Sequence, residues 1–358
     1  MTHDFVVSRA DLRDARLAKA APLKPGNGQV VLAVERFALT ANNISYGMAG
    51  DMLGYWNFFP ASEGLGRIPA WGIARVTKSN HPGITVGDRF FGYVPMSNEV
   101  LMMPVAVSAR GFNDGSSHRA DLPAIYQEYL AVTPANGFDG RTDDLQCILR
   151  ILYVTSMHMD DHFAANGFFG ASTLIIGSAS SKTGYGLAYL AGKRPGVKVV
   201  GLTSESNKSF VEGLGLYDTV LSYDEVAKLP RSEPSIYVDM SGNRSVLAQV
   251  HAHLGDRLKN STGVGATHWD APRNDAAPLP GPVPDFFFVP THMVEQREKD
   301  GLAAHDARIA EGSLAFCSVA ENWVELRSHA FTDMGTTYAS LLEGVVPGDG
   351  HIVAVSKG

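Results

Sequence analysis

The first third of the chain carries short apolar runs of the kind that form strands. Residues 30–39 (VVLAVERFAL), 68–79 (IPAWGIARVTKS), 86–96 (VGDRFFGYVPM) and 99–107 (EVLMMPVAV) are rich in β-branched and aromatic side chains and are separated by turn formers such as His81-Pro82-Gly83. That spacing predicts a barrel or sandwich. Residues 113–145 turn polar and rich in Gly and Asp, which predicts a surface excursion around a short helix at 122–130. The period then changes. Residues 148–167 have helical periodicity, and apolar strands at 172–177, 197–204, 219–225, 235–242 and 258–265 alternate with helical stretches at 181–193, 206–215 and 244–256. Such alternation predicts a doubly wound parallel sheet with helices on both faces. A proline-rich stretch at 271–284 reads as a loop, and the chain ends in helical segments and a strand at 350–356. No internal repeat interrupts this order, so the fold class is α/β, a β-rich domain followed by a parallel-sheet domain.

Composition narrows the picture. At 358 residues the chain suits two domains. Its 37 acidic and 30 basic residues give a net charge of −7, which argues against nucleic acid as a partner. Two cysteines, Cys147 and Cys317, cannot build a disulfide framework or a four-thiolate zinc site. The first residues hold no signal-peptide core, and no apolar run is long enough to span a membrane. The expectation is a soluble cytoplasmic protein.

The most informative segment is STLIIGSASSKTGYGLAYLA at 172–191, a buried strand running through a Gly/Ser turn into a helix. Free N–H groups at such a helix start suit a phosphate. Gly177 permits the turn, Gly184 lets the backbone approach a pyrophosphate, and Gly186 lets the helix pack on the sheet. Ser180, Ser181, Lys182 and Thr183 fill the rest of the turn. Three readings compete. GSASSKT resembles a P-loop, but it is one residue short and has Ser181 where the second glycine belongs. Tyr189 and Lys193 spell Y-x-x-x-K, but on a helix far from any nicotinamide. The third reading is a dinucleotide site. The next strand ends in Thr203, Ser204, Ser206, Asn207 and Lys208, with Glu205 one residue beyond the place of an NAD-type acid. Hydroxyls and a lysine favour the 2′-phosphate of NADP(H), although Ser206 as a helix cap with a solvated Lys208 explains the same residues.

Several segments, in order, resemble the medium-chain dehydrogenase/reductase superfamily, in its zinc-free quinone-oxidoreductase and enoyl-reductase branch: ALTANNISYGMAGD (38–51), IPAWGIARVTKSNHPGITVGDRFFGY (68–93), GLTSESNKSFVEGLGLYDTVLSYDE (201–225), IYVDMSG (236–242), NSTGVG (260–265), DFFFVP (285–290) and HIVAVS (351–356). The resemblance implies a GroES-like catalytic domain over 1–152, completed by 301–358, and a Rossmann domain over 153–300. It implies an NADPH-dependent reductase of enone, enoyl or quinone acceptors, or else a catalytically inactive NADP(H)-binding sensor or scaffold. It also implies a homodimer. Around the nicotinamide it implies Thr155, Ser156, Gly263, Val264, Gly265, Phe287, Phe288 and Val289, with Ser241 at the cofactor, Tyr223 on the adenine side and Lys182 near the phosphates. The turn is one residue longer than the family's, the zinc-binding cysteines are missing, and the 113–145 insert is longer than usual and is expected to shape the substrate mouth.

Without zinc, hydride addition to a conjugated double bond needs hydrogen-bond donors and a proton source at the distant oxygen. Asn42 is the candidate to position carboxamide or substrate, and Tyr46 the candidate donor, with Tyr55 the alternative. Each tyrosine also reads as an aromatic packed at the domain cleft, Tyr55 more so than Tyr46. Trp56, Phe58, Phe59 and Trp71 suit a small apolar or aromatic carbonyl-conjugated substrate, or simply a core. His158 and His162 share a helix face beside Asp161, but no third distant ligand accompanies them, so no metal is expected.

Overall fold

A computed structural model describes residues 2–264, 278–344 and 346–355. The chain forms two compact units, Met1–Arg150 with Leu302–Gly358, and Ile151–Gly301.

The first unit contains β1 (Thr2–Ser8), β2 (Ala15–Ala20), β3 (Val30–Leu39), α1 (Ala41–Met48), β4 (Leu65–Gly66), β5 (Pro69–Ser79), β6 (Arg89–Pro95), β7 (Glu99–Met102), β8 (Pro104–Ser108), β9 (Gly111–Asp114) and β10 (Glu128–Ala131). The helix α2 (Asp143–Ala165) then carries the chain from this unit into the second. Strands β2-β1-β4 make a small sheet, and a nine-stranded sheet is built outward from β3. Its central strand β3 is almost wholly buried. Even its acid, Glu35, is buried, and it is matched by Arg75 at 2.7 Å and Arg89 at 2.8 Å. Burying that carboxylate is tolerable only because both charges reach it.

The 113–145 segment departs from expectation. No helix covers 122–130. A single 3-10 turn at Ala124–Gln127 follows Pro123 and leads into β10, which pairs with β6 and β9. Tyr129 decides this: its ring is buried and stacks on Phe112 at 5.0 Å, a place that only a strand gives it. Nor is the segment a mere surface excursion. Arg119 is 1% exposed, forms an ion pair with Asp114 at 3.0 Å and donates to the Phe58 carbonyl at 3.0 Å.

The second unit holds β11 (Thr173–Gly177), α3 (Lys182–Ala191), β12 (Lys198–Thr203), α4 (Lys208–Gly213), β13 (Thr219–Ser222), β14 (Ser235–Asp239), α5 (Arg244–Leu254), β15 (Leu258–Gly263), β16 (Asp285–Phe286) and α6 (Val289–Asp300). All six strands are parallel, in the order β13-β12-β11-β14-β15-β16. Alternation along β11 divides the core between the faces. Leu174 and Ile176 pack with Leu187 and Phe163 on one side, while Ile175 packs with Val246 and Val250 on the other. Of the proline-rich loop, 271–277 lie outside the described residues, and 278–284 form no regular element.

The chain then adds α7 (Leu302–Ala320), β17 (Glu325–Ala330), α8 (Met334–Glu343) and β18 (Asp349–Ala354) to the first unit. Strand β18 lies between β17 and β3, parallel to the first and antiparallel to the second. Among the described residues no helix is long and apolar enough to cross a membrane.

Candidate functional site

In the second unit the order of strands reverses between β11 and β14, which grow outward in opposite directions from the first strand of the sheet. Open parallel sheets bind ligands outside the carboxyl ends of their strands at such a reversal. Here those ends are Gly177, Thr203, Ser222, Asp239 and Gly263, and the register sets Gly177 beside Leu202 and Asp239, and Thr203 beside Ser222.

The turn after β11 is tightly specified. A Cβ on Gly177 would lie 2.5 Å from the Tyr237 hydroxyl, so no larger residue fits without a shift. Ser178 has φ 54, and Tyr223 hydrogen-bonds it. Ser181 has an extended backbone, φ −72 and ψ 146, and caps α3 by accepting from the Gly184 amide at 3.0 Å. That is a capped helix start rather than a phosphate-cradling nest of glycines. A Cβ on Gly184 would meet the Ser181 hydroxyl at 2.8 Å and the Ser178 carbonyl at 2.9 Å. Lys182 and Thr183 form the first turn of α3. Tyr189 and Lys193 face one another, with the Lys193 ammonium 3.6 Å from the ring centroid.

Beyond β12, Asn207 donates to Ser180 at 3.2 Å and so ties this strand end to the turn. Thr203 is fully buried and its hydroxyl has no hydrogen-bond partner among the described residues. Lys208 lies 2.7 Å from Glu225, whose other oxygen is 2.6 Å from Lys228. Glu225 also closes a capping box with Ser222. The hydrogen bonds from Lys208, then Lys228, pull the Glu225 carboxyl down to about 2. Glu225 and Lys228 were not among the sequence candidates, because only the β12–β13 pairing brings 225 to 208.

On the far side of the reversal, Asp239 accepts from the Ser241 amide and hydroxyl at 2.9 and 3.0 Å. Val264 donates to the Asp239 carbonyl at 2.9 Å, and Phe287 to the Gly263 carbonyl at 3.0 Å. Of the three residues after β16, the Phe287 ring turns into the core against His292, Phe288 is exposed, and Val289 opens α6. Gly265 lies outside the described residues. In α2, Thr155 bonds back to the Ile151 carbonyl at 3.0 Å, and it is Ser156 that reaches the turn helix, donating to the Thr183 carbonyl at 2.9 Å.

In the first unit, Asn42 and Tyr46 lie one turn apart on α1, so they share a face. The Tyr46 ring packs 4.8 Å from Tyr55 and 5.6 Å from Tyr93. Its hydroxyl accepts from the Trp71 indole at 3.4 Å. Burial holds the Tyr46 phenol well above the ordinary tyrosine range, while the Trp71 and Asn42 side chains pull the other way. Burial, then Tyr46, pushes Tyr55 up to about 12. The 3-10 turn of the insert adds Tyr126, whose hydroxyl is 3.4 Å from that of Tyr55 and whose ring stacks on Tyr93 at 5.0 Å. Tyr46, Tyr93 and Tyr126 thus gather around Trp71, with Tyr55 packed on Tyr46 and Tyr126. Tyr126 carried no sequence signal, since it sits in a polar stretch without periodicity.

His158 donates from Nδ1 to the Val154 carbonyl, 2.7 Å away, and is 2% exposed; His162 packs against Phe287 and His292 instead. Among the described residues no group of three His, Cys, Asp or Glu side chains is placed to hold a metal ion.

Solved structures share this architecture. CurA in complex with NADPH from Vibrio vulnificus is 15% identical, with 99% of this chain and 100% of that one covered and a TM-score of 0.64. A mutant form of enoyl thioester reductase from Candida tropicalis is 9% identical over 99% of each chain, with a TM-score of 0.57. Etr1p in complex with NADP and crotonyl-CoA is 11% identical over 99% of each chain, with a TM-score of 0.60. At these identities the likeness is one of fold. No curated protein matches the sequence. The profile of one family matches residues 37–347. The chain therefore belongs to the family described as "Protein of unknown function (DUF2855)".

Proposed function

We propose that this protein is an NADP(H)-dependent reductase that adds hydride to a carbonyl-conjugated double bond or a quinone, with a phenol rather than zinc at the developing oxyanion. The observation that carries the reading is the row of Gly177, Thr203, Ser222 and Asp239 at the carboxyl ends of strands whose order reverses between them. The residues fit a dinucleotide. Gly177 and Gly184 keep the turn tight, since a Cβ there would meet Tyr237 or Ser181 and Ser178, and the buried Thr203 hydroxyl, with no hydrogen-bond partner among the described residues, offers a group for a ribose to meet. The turn from Gly177 to Gly184, with Thr203, Ser204, Asn207 and Tyr223, would hold the cofactor, which supplies the hydride.

Lys208, paired with Glu225 and faced by Glu205 and Glu212 as well, is the cation that would meet the 2′-phosphate of NADP(H). Structures of like fold hold NADPH, or NADP with crotonyl-CoA, which agrees with an enoyl or enone acceptor. Tyr46, a phenol and so protonated at physiological pH, serves as proton donor.

Thermal shift with NADPH, NADH and ATP tests the cofactor, because a ligand that binds only the folded state raises the melting point. NADPH alone should stabilise, and Lys208→Met should narrow the preference over NADH by on the order of tenfold. Stabilisation by NADH alone overturns the 2′-phosphate assignment. NADPH oxidation with enones, enoyl thioesters and quinones then tests the chemistry. Binding without turnover across that panel leaves the sensor or scaffold role instead.

A further inference from the structure

We infer that Trp71 is the positioning residue for the Tyr46 phenol, aiming its proton and stabilising the phenolate that proton transfer leaves behind. The inference rests on the reductase reading above and deepens it.

A phenol has one proton and an oxygen that can also accept, whereas an indole N–H can only donate. The Trp71 Nε1 lies 3.4 Å from the Tyr46 oxygen, so one of that oxygen's acceptor sites is filled and the hydroxyl proton points elsewhere. Trp71 is itself well held. It is 8% exposed on β5, stacks on Phe91 at 5.6 Å and packs against Tyr93 at 4.9 Å and Tyr126 at 6.0 Å. The donor is therefore in place before reaction and needs no reorganisation.

The need for it follows from burial. Tyr46 is 8% exposed, away from the water that would ordinarily solvate a phenolate. When the acceptor takes hydride, the Tyr46 O–H bond breaks, its proton goes to the reduced acceptor and its electron pair stays on the phenolic oxygen. The indole N–H then faces a full negative charge, and a hydrogen bond to a charged group is about twice as strong as a neutral one. The bond is worth more after the transfer than before, which is the condition for lowering the barrier. The phenolate regains its proton from solvent before the next turnover.

The test is a double-mutant cycle of Trp71→Phe and Tyr46→Phe. Phenylalanine keeps an aromatic ring against Phe91 and removes the N–H. Trp71→Phe should lower kcat about tenfold while KM stays within about twofold, the pattern for a contact that strengthens in the transition state. In the Tyr46→Phe background the same change should cost nothing further. An equal loss in both backgrounds, or a loss confined to KM, overturns the inference while the reductase reading stands. If no acceptor is turned over, the reductase reading falls instead, and a second measurement still decides the contact. Tyr46→Phe keeps the ring and removes only the oxygen, so the Trp71 indole proton resonance should move upfield; an unmoved resonance overturns the inference.

Discussion

At the residue scale, one side chain explains a glycine. Gly177 was legible as the end of a strand entering a Gly/Ser turn, but the reason that nothing larger fits is Tyr237, sixty residues on and one strand away, two residues before the register partner Asp239. The Tyr237 hydroxyl is buried and has no hydrogen-bond partner among the described residues. Burying it costs about 1–3 kcal/mol, and Tyr237→Phe should therefore leave the urea midpoint unchanged or raise it. Gly177→Ala should destabilise by about 1–3 kcal/mol, because its methyl would meet that hydroxyl at 2.5 Å. In the double variant much of this loss should return. An undiminished loss would mean that the ring of residue 237, 3.1 Å from that methyl, and not the hydroxyl, selects glycine. Lys208 teaches the same lesson from the other side. Its position after β12 was readable, but its partner Glu225 was not, since pairing across parallel strands leaves no local spacing to read.

At the element scale, long periodic segments were legible and short mixed ones were not. The parallel strands announced themselves through apolar runs, as did α2. The helix α1 did not, because ANNISYGM holds a glycine, two asparagines and a serine, all poor helix formers, and forms under the Thr40–Asn43 capping box. Strand β17 escaped because it is an edge strand whose residues are mostly exposed and polar. The described part of the loop before β16 depends on another unforeseen contact. His251 on α5 donates from Nδ1 to the Pro280 carbonyl and accepts at Nε2 from Ser261, both at 2.8 Å, which fixes the neutral ring.

Burial lowers the His251 pKa below its ordinary 6.5. The unfolded chain thus takes up a proton near 6.5 that the folded chain refuses, so this contribution is intact above that pH and is lost as pH falls below it. Urea midpoints of the protein and of His251→Gln should differ most at pH 8 and converge toward pH 5.5. A difference that does not vary with pH would show that the ring titrates alike in both states.

At the scale of the molecule, the doubly wound unit could be read in order along the sequence, whereas the other unit needs both ends of the chain. Strand β18 pairs with β3 from His351 opposite Leu39 to Ala354 opposite Arg36, and Val355 donates to the Glu35 carbonyl at 2.9 Å. Without it, β3 loses a neighbour along the stretch that leads directly into α1, the helix of Asn42 and Tyr46. Glu35, clamped by Arg75 and Arg89, lies on that same stretch. Ending the chain after Val324 removes β17, α8 and β18, and should therefore expose the β3 edge and disorder α1, more than 270 residues away in sequence. The Gly177 turn belongs to a unit that ends at Gly301 and keeps all its strands. Hydrogen exchange should then show protection lost in β3 and α1 but retained in β11 and β12, and turnover should vanish while NADPH still shifts the melting of what remains folded. Protection of β3 unchanged in the shortened chain would mean that β5 and β7 hold that strand without β18, and that the C-terminal return serves something other than the tyrosine cluster.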